Sequence, residues 1–347
     1  MSGRAGSSEA HLRVRQASGG GGSKAAAALG LAVGAVALWA TAVEPQLFTL
    51  RRHTVALLPA GHAPLRVLQL SDLHLAPWQH RKINWVRSLA ELRPDLVVLT
   101  GDQMGHRGAR GPLLHALQTL SEAGIPGVFV HGSNDYYSPI VKNPLKYLRA
   151  PSRKGSRTPD IDTAALTRGL TDDLGFVNLN NAATSLTLRG TTFEVFGLGD
   201  PHIGYNDAAK MHASLAALRD VGGAGATAVG EADASDSPGS PVPSEQPRLG
   251  VVHAPYQAAL NDLLDEGADF IFAGHTHGGQ VRMPGVGALT TNCDLPTEQA
   301  RGLSVWYDAE RAAFLNVSAG LGASIYSPIR FACRPEASLI TLEAVRD

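Results

Sequence analysis

At 347 residues the chain is long enough for one large α/β domain or two modest ones. Its 30 Lys and Arg stand against 31 Asp and Glu, a formal net charge of −1; with no basic stripe to follow a phosphate backbone, nucleic acid is excluded as a partner. The two cysteines, Cys293 and Cys333, make neither a disulfide framework nor a zinc knuckle; they read as a pair in an oxidising compartment or, preferred, as two buried thiols.

Residues 1–24, rich in Gly, Ser and Arg, read as a disordered arm. Residues 25–43, AAAALGLAVGAVALWATAV, carry no charge over 19 positions, which suits a membrane crossing. A cleaved signal peptide competes, with Arg13, Arg15 and Lys24 as its basic start and Ala40-Thr41-Ala42 as a cleavage site. A buried Ala-rich helix is the third reading. Either of the first two places the remaining chain outside the cytoplasm, single-pass or secreted, since basic residues concentrate ahead of the segment.

From residue 65 onward strand-like and helix-like pieces alternate. LRVLQLSDLH is an apolar run ending in polar residues, and RKINWVRSLAEL has helical spacing through Ile83, Val86, Leu89 and Ala90. PDLVVLTGD and GVFVHGSND repeat the strand pattern around a helix, PLLHALQTLSEAG, that stops at Gly124. SLTLRGTTFEVFGLGD reads as a hairpin, and RLGVVHAPY and DFIFAGHTH as two more buried strands. Parallel βαβ units together with hairpins predict an α/β fold with mixed sheets over residues 60–347. Residues 150–160 are a polar loop, and 221–247, poor in large apolar residues, a flexible insertion.

Metal-binding residue types collect where these strands end. The first gives Asp72 and His74, the second Asp102, the third Asn134 and Asp135; His253, then His275 and His277, follow. Each alone reads equally well as a cap or turn residue. Five strand ends together predict one crevice at the carboxyl edge of an open sheet. Residues i and i+2 of an extended chain face the same side, so His275 and His277 meet at one point if the chain stays extended through Thr276.

This order, SDLH, GD, a Gly-Asn-Asp cluster, His, then GHTHGGQ, resembles the calcineurin-like metallophosphoesterase family over residues 65–345, especially its small membrane-associated or exported bacterial members. The resemblance implies a four-layer sandwich of two mixed β-sheets flanked by helices, preceded here by the apolar N-terminal helix. It also implies that Asp72, His74 and His277 hold one metal, that His253, His275 and the third-motif Asn hold another, and that Asp102 bridges them. Two divalent cations about 3.5–4 Å apart clamp a phosphoryl group and acidify a water. Ligation by His, Asp and Asn suits Mn, Fe or Zn.

The third motif departs from the family's G-N-H-[DE]; here it reads Gly132-Ser133-Asn134-Asp135. By column, Ser133 takes the ligand place and Asn134 the histidine's; by chemistry, Asn134 is the ligand, which is the reading adopted. The proton-donating histidine is missing either way, leaving His202 ahead of His131 as its replacement. An acidic leaving group, as in a pyrophosphate, needs no such donor. Gly278 and Gly279 let the backbone turn close to the metals. Trp78, His80, Arg81 and Lys82 read as the exposed start of a helix, or less readily as the substrate mouth, and Asn292 and Asp294 have no assigned role. The expected activity is hydrolysis of a phosphomonoester, phosphodiester or pyrophosphate on a small or lipid-linked envelope substrate. A non-catalytic binding module and a mononuclear metal protein are the alternatives.

Overall fold

The computed structural model describes residues 20–140, 157–222 and 246–345, in two units that divide after Trp39. Residues 1–19 of the expected arm, most of the 221–247 insertion and part of the 150–160 loop lie outside the described residues. The first unit holds helix α1 (Gly20–Leu38), and a π-helical turn over Trp39–Val43 follows it in the chain. Its 19 residues extend about 28 Å, close to the roughly 30 Å of a bilayer's hydrocarbon. Leu29, Leu31, Val33 and Leu38 are each more than 60% exposed, so the helix buries no face of its own.

The second unit, from Ala40, holds two six-stranded sheets. The first contains β1 (Thr49–Leu58), β2 (Leu65–Leu70), β3 (Leu96–Thr100), β4 (Gly127–Val130), β5 (Val177–Asn178) and β14 (Glu336–Ala344). Helices α2 (His80–Ser88), α3 (Arg110–Glu122) and α4 (Thr163–Arg168) connect its parallel strands β2 to β5. The second contains β6 (Ala182–Leu188), β7 (Thr191–Gly197), β8 (Arg248–Val251), β9 (Phe270–Ala273), β12 (Gly302–Tyr307) and β13 (Ala312–Val317). Here α5 (Ala208–Gly222) and α6 (Gln257–Asp265) link the parallel strands β7, β8 and β9. Antiparallel pairs β14–β2, β6–β7 and β12–β13 make both sheets mixed, as the strand and hairpin pattern predicts.

The strand runs are continuously apolar because both faces are covered. Val98, Val128, Leu249 and Phe270 point between the sheets, while Val97, Leu99 and Phe129 face α2, α3 and α4. Phe196, Ile271 and Leu315 face α5 and α6. The result is a four-layer sandwich, and removing one central ring, as in Phe129→Ala, costs about 3–5 kcal/mol.

A buried polar stitch joins the sheets just under their common rim. Gln69 of β2 donates to the Ala273 carbonyl of β9 at 2.8 Å and accepts from Asn316 of β13 at 2.7 Å. Parallel β2, β3, β8 and β9 thus end at one edge, where the expected ligands begin.

Candidate metal centre

The backbone turns sharply at this edge. Asp72, His74, Asp102, His275 and His277 all have φ between 39° and 68°, the left-handed region, at about 1–3 kcal/mol each. The pairing of neighbouring strands runs on through these turns: Asp72 N–H donates to Gly101 O and His74 N–H to Asp102 O, each at 3.0 Å. The condition for His275 and His277 to converge, an extended chain through Thr276, is not met. Strand β9 ends at Ala273, and Thr276 is helical at φ −71°, ψ −17°, so the two imidazoles go to different places.

His277 meets the first motif. Its Nε2 lies 3.2 Å from His74 Nε2 and 3.7 Å from Asp72 Oδ1, and His74 Nε2 is 3.9 Å from the same oxygen. Ser71 and the His275 N–H occupy Asp72 Oδ2 at 2.5 and 3.0 Å, leaving the buried Oδ1 without a hydrogen-bond partner and aimed at both rings. Such an oxygen facing two imidazole nitrogens is the donor set a divalent cation takes.

Asp102 joins this group to a second. One carboxylate oxygen is 3.5 Å from His74 Nε2, the other 3.6 Å from His253 Nε2. His253 Nδ1 lies 2.8 Å from the Thr100 carbonyl, which only accepts, so Nδ1 carries a proton; Nε2 is buried without a partner. His277 Nδ1 is fixed likewise by Gly322 O at 3.1 Å, and His275 Nε2 by Asn292 O at 3.2 Å. Ring N–H groups handed to backbone carbonyls are the outer support that metal-ligating histidines use. Space is reserved as well: a Cβ at Gly132 would sit 2.4 Å from Asp102 Oδ1 and 2.7 Å from His253 Nε2.

The charges follow from this burial. Burial holds His74 down to about 4 and His275 and His277 well below the usual imidazole range. Burial also raises Asp72 to about 6. It pulls Asp102 the same way, but His253, His74 and Asn134 outweigh it and hold that carboxyl well below the carboxylate range. His253, which burial alone would depress, is lifted to about 9 by Asp102, Asp200 and Asp72.

The remaining expectations sort by position. Asn134 donates to both Asp102 oxygens at 2.7 Å, from its backbone N–H and its side-chain amide, and that amide lies 3.4 Å from His74 Nδ1. It therefore stands toward His74, not between His253 and His275, the pair with which the resemblance groups it. The His202 ring is 4.5 Å from that of His275, and its Nδ1 is 3.0 Å from Tyr256 Oη. His131 points elsewhere, with Nε2 2.8 Å from Thr167 Oγ1.

Trp78, His80 and Arg81 are exposed, as the start of a surface helix should be, and Lys82 alone departs from that reading. It is buried, donates to Leu73 O at 2.7 Å, and burial with Arg330 nearby lowers it to about 7. Cys293 and Cys333 are separate buried thiols.

Several supporting residues went unassigned in the sequence. Asn292 braces His275. Asp200 is buried with Oδ2 lacking a partner, and burial, with Asp102 nearby, raises it to about 7. Arg330 is fully buried, its guanidinium donating to the carbonyls of Ala319, Gly320, Gly322 and Cys333. It thereby holds the same Gly322 carbonyl that fixes His277. The glycines of SAGLGAS, residues 318–324, were the available signal: a Cβ at Gly320 would meet Asp72 Cβ at 2.5 Å.

Ligand-type side chains at the ends of parallel strands, with a carboxylate between two histidine groups, make a candidate metal centre. The profile of the family described as calcineurin-like phosphoesterase matches residues 65–279, and the chain belongs to that family. It is thus a metal-dependent phosphoric ester hydrolase, from a family with dinuclear centres. It is 27% identical to the phosphodiesterase YaeI of Escherichia coli, over 86% of this chain and 90% of that one. It is 25% identical to the uncharacterized metallophosphoesterase YkuE of Bacillus subtilis, over 88% and 89%. A third relative is the UDP-2,3-diacylglucosamine pyrophosphatase LpxG of Chlamydia trachomatis, 25% identical over 87% and 92%.

Proposed function

We propose that this protein is a membrane-anchored dimetal phosphoesterase acting on a phosphodiester or pyrophosphate of a lipid-linked substrate, with its catalytic unit outside the cytoplasm. The observation that carries the dimetal reading is Asp102, one carboxylate whose two oxygens face His74 and His253. Asp72, His74 and His277 would hold one cation, and His253 and His275 the other, with Mn, Fe or Zn fitting the donors. When bound, such a pair polarises the phosphoryl oxygens and acidifies the attacking water.

The chain's own residues do the rest. Asn134 fixes the bridging carboxylate by two hydrogen bonds and presents its amide beside His74. His202, partly buried at the edge of the site and steadied by Tyr256, is the group to protonate a poor leaving oxygen. With a pyrophosphate the leaving group is itself a stable anion and this proton is dispensable, which accords with the missing third-motif histidine. The name of the relative LpxG, a pyrophosphatase of an acylated sugar nucleotide, supports that substrate class. The uncharged 25–43 segment supports the membrane location.

Metal analysis should return two equivalents per chain. Hydrolysis of bis(p-nitrophenyl) phosphate with added Mn should fall at least about a hundredfold in Asp102→Ala, since even outer-shell partners of metal ligands are worth about 10–100-fold. Equal activity of both proteins would refute the assignment.

A further inference from the structure

The chain that leaves His277 makes a small ribbon whose apolar side chains face outward. Strands β10 (Arg282–Met283) and β11 (Gly287–Ala288) pair around a turn with Gly285 at φ 80°. Val281, Met283, Val286 and Leu289 are 39%, 51%, 69% and 43% exposed. Beyond residue 45, four of the eight large apolar side chains exposed among the described residues fall within these nine positions. A two-stranded ribbon does not hold itself in water, and surface apolar residues clustered this tightly mark a contact.

The ribbon is tied to the metal centre at its base. Gln280 N–H donates to His277 O at 2.9 Å and Arg282 Nη1 to Gly278 O at 2.8 Å, and a Cβ at Gly279 would meet Ala288 Cβ at 2.6 Å. A rigid connection of a few residues thus separates the apolar tip from a ligand side chain.

Its other flank shows what covers it. Residues 330–333 run beside it: Phe331 N–H donates to Gln280 O at 3.1 Å and Arg282 N–H to Phe331 O at 2.9 Å. The same segment binds the end of the uncharged 25–43 stretch. Arg330 N–H donates to Ala40 O at 2.8 Å, and the Glu44 carboxylate accepts from Ala332 and Cys333 N–H at 3.1 and 2.5 Å. The ribbon therefore stands one peptide segment away from where the chain leaves its apolar stretch.

We propose that the 281–289 ribbon enters the interface of the membrane that the 25–43 segment crosses. It would seat the His277 edge of the site on the bilayer, so that a headgroup phosphate reaches the metal ligands while its acyl chains stay in the lipid. This rests on the membrane-anchored reading above and adds to it the surface that faces the bilayer.

The test uses the full chain in vesicles and nanodiscs of phosphatidylcholine and phosphatidylglycerol. A nitroxide is attached at Val286→Cys, which is practicable because Cys293 and Cys333 are buried. Tyr307→Cys, 68% exposed at the far end of β12, is the reference. Flotation with the vesicles reports the anchor. Retained hydrolysis of bis(p-nitrophenyl) phosphate reports folding and the phosphoesterase reading.

We expect the label at 286 to relax at least fivefold more with oxygen than with an aqueous nickel chelate, and the label at 307 to show the reverse. Water-like behaviour at 286 in a protein that floats and hydrolyses the soluble ester would overturn the ribbon's role alone. Failure to float would overturn both the anchor and the ribbon. Spin–spin broadening at 286 would assign the ribbon to a second copy of the chain and overturn the bilayer as its partner.

Discussion

On the His277 side of the site, three ligand atoms from two strand ends lie within 3.9 Å of one another, with Asp102 Oδ2 3.5 Å from His74. Behind them stand backbone carbonyls, glycines and two buried cations, Lys82 and Arg330. On the His253 side carboxylates dominate, with His253 gathered with oxygens of Asp72 and Asp102 within 4.8 Å. His253 faces one Asp102 oxygen at 3.6 Å, the His275 ring lies against partly exposed His202, and the Asn134 amide is engaged toward His74. One side thus offers a cation two imidazoles that burial keeps unprotonated, while the imidazole on the other is held protonated by its carboxylates. The difference shows in affinity, because a ring must lose its proton before it can bind a cation.

Two alanine substitutions separate the sides. His277→Ala should abolish the tighter of two Mn-binding steps, and His253→Ala should remove the weaker and leave about one metal per chain. Each should lower diester hydrolysis at least about a hundredfold, beyond the 10–100-fold that outer-shell changes produce. Calorimetric titration of both variants reads this directly. Two identical steps in wild type, or loss of the tight step in His253→Ala, would break the comparison.

Arg330→Lys sharpens it. Lysine keeps the charge but cannot reach four carbonyls with one planar fork. The Gly322 carbonyl would then hold His277 less firmly, and the tight step should weaken about tenfold, the lower range for outer-shell partners. The weak step should not move. A melting temperature near wild type would show that the effect is local, while equal weakening of both steps would assign Arg330 to the fold at large.

Much of this was legible because strand ends are legible. The apolar runs LRVLQL, LVVLT, GVFV and FIFA gave the parallel strands, and in a parallel sheet their carboxyl ends must share an edge. That logic placed Asp72, Asp102, His253 and His277 together without any contact being known. It did not give the turns. Five left-handed residues in a succession of motifs is a conformation that local propensity disfavours, so whether the chain stays extended from His275 to His277 could not be read from spacing alone. Lys82 and Arg330 were illegible for a related reason. Buried cations satisfied by backbone carbonyls leave no periodic trace, and charged residues are read as surface. Asn134 shows a third limit: a one-residue shift in a motif does not say toward which histidine an amide will turn.

The two sides should also answer pH differently, and the sign follows from which groups hold a proton before metal binds. On the His277 side burial keeps His74 at about 4 and His277 well below the ordinary range, so both rings offer a lone pair at neutral pH. Asp72, raised to about 6 by burial, is protonated only in acid. On the other side burial opposes the charge on His253, but Asp102, Asp200 and Asp72 prevail and hold it up to about 9, so its Nε2 carries a proton at neutral pH. A proton and a cation cannot share that nitrogen, so binding must expel one. Affinity of the weaker step should therefore fall about tenfold per pH unit below about 9, while the tight step should hold until about pH 6. Titrations in buffers of different ionisation enthalpy should find about one proton released in the weak step near pH 7.5 and close to none in the tight one. A weak step that stays flat between about pH 6.5 and 8.5 would mean that His253 is neutral before metal arrives, and that Asp102 is then the side chain whose charge waits uncompensated.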